Sequence, residues 1–247
     1  MKVRRVAAAC ALVAIAGCGG SSSNAMPSPS NGMARARFAD GTPALDAIIA
    51  GQPQNICTCY LTVNGQTIAS QMNYGTFTPF VNIAAGGASL TARNALGYAV
   101  GPLKATNLTA GKDYTLVIVG SYPNYRVLTF EEPASASGTQ LSLYEASPTV
   151  PKADFGSFTA SSSSNFKMLG SASLGEVVTV PLGAHVTDLG GFAGKGTQAF
   201  SGGTATPAQI NSFDKRNALP FHNVSRLSLF LFDTDASLGP VYGSLDR

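Results

Sequence analysis

From Ala34 onward the apolar residues recur at every second position, or in short runs rich in β-branched and aromatic side chains. Gly, Pro and Asn break each run, and no stretch of ten residues carries helical spacing. A period of two sends alternate side chains to opposite faces of a pleated strand, so the expected fold is all-β. Cys57, Cys59, Leu61 and Val63 share one face of a strand, Asn64-Gly65 supplies the two positive-φ positions of a tight hairpin, and Gln66 to Ser70 returns. Strands over Phe77 to Ile83, Ala88 to Arg93, Tyr114 to Ser121 and Arg126 to Glu131 follow at spacings suited to a β-sandwich. Tyr114 to Val119 is apolar on nearly both faces, which marks a central strand. Charged residues make up 12% of the 247-residue chain, against about 25% in an average domain, and 45% are apolar, so the disordered class is excluded.

Leu108 stands six residues before Tyr114, a spacing that resembles the tyrosine corner of immunoglobulin-like sandwiches, in which the phenol ties back to upstream backbone. A second copy begins after the linker Pro133 to Gly138. Leu143-Tyr144-Glu145-Ala146-Ser147-Pro148 followed by Asp154 echoes Phe38-Ala39-Asp40-Gly41-Thr42-Pro43 followed by Asp46, and Leu174-Gly175 echoes Tyr74-Gly75. Arg226 to Asp233, with Leu227, Leu229 and Leu231 alternating against Ser228, Phe230 and Phe232, then stands where Tyr114 to Ser121 stood.

The N-terminus reads as an address. Met1-Lys2-Val3-Arg4-Arg5 is cationic, Val6 to Ala16 is an apolar run of 11 residues, and Ile15-Ala16-Gly17-Cys18 closes it. The run is well short of the roughly 20 residues of a spanning helix, and the pattern resembles a bacterial lipoprotein signal over residues 1–17 with Cys18 as the lipidated residue. Acylation of both its sulfur and its new amine gives the multi-chain anchoring that a single chain does not supply. Gly19 occupies the position where an inner-membrane retention signal would place Asp, which favours the outer membrane, facing the periplasm or the surface. Residues 18–33, with Ser21-Ser22-Ser23, Pro27 and Pro29, read as a flexible tether. Removing Lys2, Arg4 and Arg5 lowers the basic residues from 16 to 13, equal to the 13 acidic ones, so the mature chain has no electrostatic footprint for nucleic acid.

Arg35-Ala36-Arg37-Phe38 with Pro43 and Asp46, Tyr74-Gly75-Thr76-Phe77-Thr78-Pro79-Phe80, the Ala85-Gly86 turn and Leu108 to Gly120 resemble the domain of unknown function family numbered 4397. The resemblance is close over about residues 34 to 131 and loose over 140 to 247, where the Leu-Thr-Ala-Gly-Lys signature is missing. It implies a secreted or lipid-anchored β-sandwich, often in tandem, at the bacterial cell envelope. It carries no established catalytic residues.

Candidate chemistry is sparse. With Cys10 leaving with the signal and Cys18 lipidated, Cys57 and Cys59 are the two remaining thiols. Residues i and i+2 of a strand lie about 6.6 Å apart, the outer limit for a disulfide, so buried thiols, a bridge over a bulge, metal binding and redox catalysis all stand as readings. His185 and Asp188, three residues apart in an extended chain, point to opposite faces, and His222 beside Pro220 suits a surface imidazole. No Gly-x-Ser-x-Gly elbow, Walker glycine loop or His-Glu-x-x-His occurs. Asp40, Asp46, Glu145 and Asp154 fall in matching loops, either as a shared calcium site or, the stronger reading, as turn carboxylates that cap backbone amides. Tyr122 and Tyr125 flank a Pro-Asn loop as a surface for sugar rings or a protein contact, or else pack in a turn.

The sequence therefore predicts two tandem immunoglobulin-like β-sandwich modules, residues 34–136 and 139–247, behind a lipidated tether. The expected role is non-catalytic, without a metal or other cofactor. It is a membrane-anchored binding or adhesion module for a protein or glycan, or alternatively a periplasm-facing scaffold of an envelope assembly.

Overall fold

A computed structural model describes residues 32–42, 59–93, 99–121, 123–134, 140–157, 167–181, 189–193, 198–199, 226–232 and 241–246. The described residues are strands and turns, with no helix among them. The first eight strands are β1 (Met33–Asp40), β2 (Cys59–Val63), β3 (Gln66–Met72), β4 (Val81–Ala84), β5 (Gly86–Arg93), β6 (Ala99–Leu108), β7 (Asp113–Ser121) and β8 (Asn124–Glu131). The next eight are β9 (Gln140–Glu145), β10 (Lys152–Ser157), β11 (Lys167–Ser173), β12 (Val177–Pro181), β13 (Leu189–Ala193), β14 (Gln198–Ala199), β15 (Arg226–Leu231) and β16 (Val241–Asp246).

The strands form four sheets that pack in a sandwich-like arrangement. Sheets β4-β1-β7-β8 and β3-β2-β5-β6 enclose one core, built from Phe38 of β1, Leu61 and Val63 of β2, Leu90 of β5, and Leu116 and Ile118 of β7. Sheets β12-β9-β15-β16 and β11-β10-β13-β14 enclose a second core around Leu141, Leu143, Phe155, Leu229 and Leu231. The two sheet pairs share one strand order. In each, the first strand runs parallel to the seventh and antiparallel to the fourth, and the second is antiparallel to the third and fifth.

Details recur as well as order. Gly75 N–H donates to the Asp40 carbonyl at 2.8 Å and Gly175 N–H to the Glu145 carbonyl at 2.9 Å, so the echo of Tyr74-Gly75 in Leu174-Gly175 is structural. Gly41 N–H donates to Ile118 and Ala146 N–H to Leu231, which makes β15 the counterpart of β7.

Several local expectations hold for visible reasons. Asn64 and Gly65 have φ of 50° and 81°, as the hairpin between β2 and β3 requires. Thr109 N–H donates to the Tyr114 hydroxyl at 3.0 Å, the backbone tie expected of a tyrosine corner. Phe77 to Ile83 differs from expectation: the strand is only Val81–Ala84, and Phe77 forms an isolated bridge with Ala39. Strand β6 carries no clear alternation because Pro102 and a positive-φ Asn107 interrupt it and its pairing with β5 shifts register twice.

Candidate functional site

The side chains of β1 alternate across the sheet. Ala34, Ala36 and Phe38 enter the first core, so Arg35, Arg37 and Ala39 must point the other way. In an isolated sandwich that face would meet water. Here Arg37 is 2% exposed, because the outer face of β4-β1-β7-β8 is covered by the outer face of β12-β9-β15-β16. Ala39, Val117, Val119 and Phe130 from one side meet Tyr144, Ala146, Phe230 and Phe232 from the other in a third apolar layer.

The matching hydrogen bonds at the ends of β1 and β9 set Ala39 equivalent to Tyr144, Val117 to Phe230 and Val119 to Phe232. One sheet therefore offers small residues where its counterpart offers rings. That asymmetry lets two like faces interdigitate at interior packing density, where two identical ones would clash or leave voids. The Tyr144 and Phe230 rings stack with centroids 4.1 Å apart, and Phe130 meets Tyr144 edge-on at 5.4 Å.

At one margin of this layer lies a buried ionic cluster centred on Glu132, the residue that follows β8. Its carboxylate accepts from Arg37 Nη2 at 3.3 Å, from Arg226 Nη1 at 3.0 Å, from the Tyr144 hydroxyl at 2.7 Å, and from the Thr115 hydroxyl. Arg37 Nε donates to Thr115 Oγ1 at 2.7 Å and Nη2 to Ser228 Oγ at 3.4 Å, a contact between the two sheet pairs. Its guanidinium also lies over Phe80, Phe77 and Phe230, at 5.0, 5.6 and 5.7 Å from their centroids. Arg226 reaches across from β15 and donates to the Pro133 carbonyl, so the start of the linker is held from the second sheet pair. Nearer the start of β1, Arg35 makes a two-pronged pair with Asp113, its register partner on β7, and stacks over Phe80.

Two cations bracket one carboxylate whose oxygens receive four donors, so the buried groups compensate one another. Burial, with the Glu132 carboxylate beside it, holds the Tyr144 phenol well above the usual tyrosine range, so it stays a proton donor. The arrangement is chemically a joint. Each charged or hydroxyl group in it is turned toward another group of the chain.

The residues singled out from sequence fall elsewhere. Cys18, Cys57, Tyr122, His185, Asp188 and His222 lie outside the described residues, as does Asp46. Cys59 opens β2 and pairs in register with Met72 of β3. Tyr125 corrects an expectation: it belongs to β8, is half-buried and packs against the first core, so it is not an open loop aromatic. Asp40 and Glu145 are fully buried at the ends of β1 and β9, where they accept from the backbone N–H of Thr42 at 3.1 Å and of Ser147 at 2.8 Å. That is the amide-capping reading. Among the described residues, no three His, Cys, Asp or Glu side chains converge as a metal site.

Sequence reasoning missed Arg37, Glu132 and Arg226. The signal was available in strands apolar on both faces, Tyr114 to Val119 and Arg226 to Phe232, which need a cover on each side.

No curated protein matches the chain. Residues 55–156 match the model of a family described as Domain of unknown function (DUF4397). The match starts just before β2 and runs into β10, so it takes in β9, the counterpart of β1, in place of β1 itself. The likeness of the chain to this DUF4397 family is carried by residues 55–156.

Proposed function

We propose that the protein is a lipid-anchored cell-envelope protein whose body is two tandem immunoglobulin-like modules, residues 34–136 and 139–247, and that it acts by binding or adhesion. The observation that carries this reading is the joint. Arg37, Glu132 and Arg226 spend their charge on fixing one sheet pair against the other, which suits a stiff body that presents a surface at a set distance from a membrane. The tyrosine corner at Tyr114 and the repeated strand order support the immunoglobulin-like, duplicated description. The anchor rests on Cys18 and the apolar run before it, with residues 18–33 as tether. The ligand class is a protein or glycan.

The alternative, a periplasm-facing scaffold, draws on β3. This strand, Gln66–Met72, is an edge of its sheet and carries no charge, so a partner strand could extend it.

Protease shaving of intact against lysed cells, read by peptides from residues 34–247, separates the two. Cleavage in intact cells is expected for adhesion, and protection until lysis overturns it in favour of the scaffold. For the anchor, Cys18→Ser is expected to release the protein from the membrane fraction; unchanged membrane association of that variant overturns lipidation as the attachment.

A further inference from the structure

We propose that β1 is the strand through which tension on the chain upstream of Met33 enters the body, in shear. The inference deepens the reading of an anchored protein, and rests on it for its biological use.

The geometry has three parts. First, β1 is bonded along both edges, antiparallel to β4 over Met33–Ala36 and parallel to β7 over Arg35–Asp40. A pull along β1 toward its N-terminal end, with the far end of β7 held, runs at right angles to the hydrogen bonds of both ladders. They must yield together, whereas a strand peeled sideways opens one pair at a time. Second, seven of the eight residues of β1 are buried, with Phe38 fully enclosed, so sliding drags side chains through packed surroundings on both faces. Third, the register is pinned by charge. A two-residue slip keeps each side chain on its face but carries Arg37 to the place of Arg35. That breaks Arg35 from Asp113 and Arg37 from Thr115, Glu132 and Ser228. Through Ser228 and Glu132 the load also passes to the second sheet pair.

The test is single-molecule force spectroscopy on the purified, unlipidated chain 18–247. One handle is at the N-terminus, and the other is on an azide-bearing residue replacing either Ser121, at the end of β7, or Ala85, beside the start of β1. The first geometry shears β1 against β7; the second unzips β1 from β4. The expected rupture force is about twofold higher or more for the Ser121 geometry, because hydrogen bonds that break together resist as a group. Arg35→Gln is expected to lower the Ser121 force and leave the Ala85 force unchanged. Equal forces in the two geometries of the unaltered chain overturn the proposal. Because the sample carries no lipid, that outcome leaves the anchor to be decided by the Cys18→Ser fractionation.

Discussion

Replacing Glu132 by Ala takes away the acceptor of four donors and leaves two guanidinium groups facing an apolar layer. The side chains concerned are almost dry: Glu132 is 4% exposed, Arg37 3% and Arg226 12%. Breaking a buried ion pair by removing one partner costs about 3–5 kcal/mol, since the remaining charge is uncompensated. Some of that is relieved here, because Arg37 keeps Thr115 and three ring faces and Arg226 keeps the Pro133 carbonyl. The expected loss is therefore near the lower end, about 3 kcal/mol. At about 2–4 °C per kcal/mol for a chain of this size, the melting temperature should fall by about 6–12 °C. The neighbouring Glu131 is the control. Its ion pair with Lys112 is 2.8 Å long, yet both side chains are about half exposed and the pair is screened by water, so Glu131→Ala should cost far less. Urea denaturation of residues 18–247 measures both. A Glu132→Ala loss no larger than that of Glu131→Ala would refute the reasoning, because it would mean that the joint is not closed to water.

Other consequences follow from the same contacts. The Tyr144 phenol binds its proton more tightly in the folded protein than in the unfolded chain, so its contribution is complete below a pH of about 10 and is lost as pH rises above that value. Tyr144→Phe should flatten the fall in stability between neutral and alkaline pH, and denaturant titrations with the same slope in both proteins would contradict this. The same variant removes a donor to a carboxylate and should cost about 1.5–3 kcal/mol at neutral pH. Phe230→Ala empties the centre of the apolar layer and should cost about 3–5 kcal/mol, with faster hydrogen exchange on both β7 and β15 as the local readout. Gly120→Ala and Gly65→Ala both place a side chain at positive φ, but a Cβ at Gly120 would come within 2.5 Å of the Asn124 carbonyl oxygen and one at Gly65 meets nothing within 4 Å. Thermal melts should show a loss of about 1 kcal/mol at Gly65 and a clearly larger one at Gly120.

What the sequence makes legible is local. Period-two runs identify strands, Asn64-Gly65 fixes a hairpin, and the spacing of Leu108 and Tyr114 announces a side chain to backbone tie. Each depends on residues within a few positions of one another. The echo of Phe38 to Thr42 in Leu143 to Ser147 reaches further, because the buried ends of β1 and β9 need the same carboxylate capping and the same glycine, Gly75 or Gly175, bonded to them. What stays hidden is the cover on the outer face. Arg35-Ala36-Arg37-Phe38 alternates charge with apolar residues, the ordinary signature of a strand half in water, and only the docking of a second sheet turns Arg37 inward. Glu132 lies beyond the end of β8, outside any periodic run, and its partners come from 12 to 95 positions away along the chain. Tyr125 misleads in the opposite sense: beside Pro123 and Asn124 it reads as a loop residue, although the partner strand β7 extends to Ser121 and draws Asn124 and Tyr125 into the ladder.

The layer of Tyr144, Phe230 and Glu132 ties the two sheet pairs into one body. Differential scanning calorimetry of residues 18–247 tests this most directly. A joint this dry couples the two cores, and the expected result is a single transition whose calorimetric and van't Hoff enthalpies agree. Two resolved transitions in the unaltered protein, each unmoved by Glu132→Ala, would contradict it.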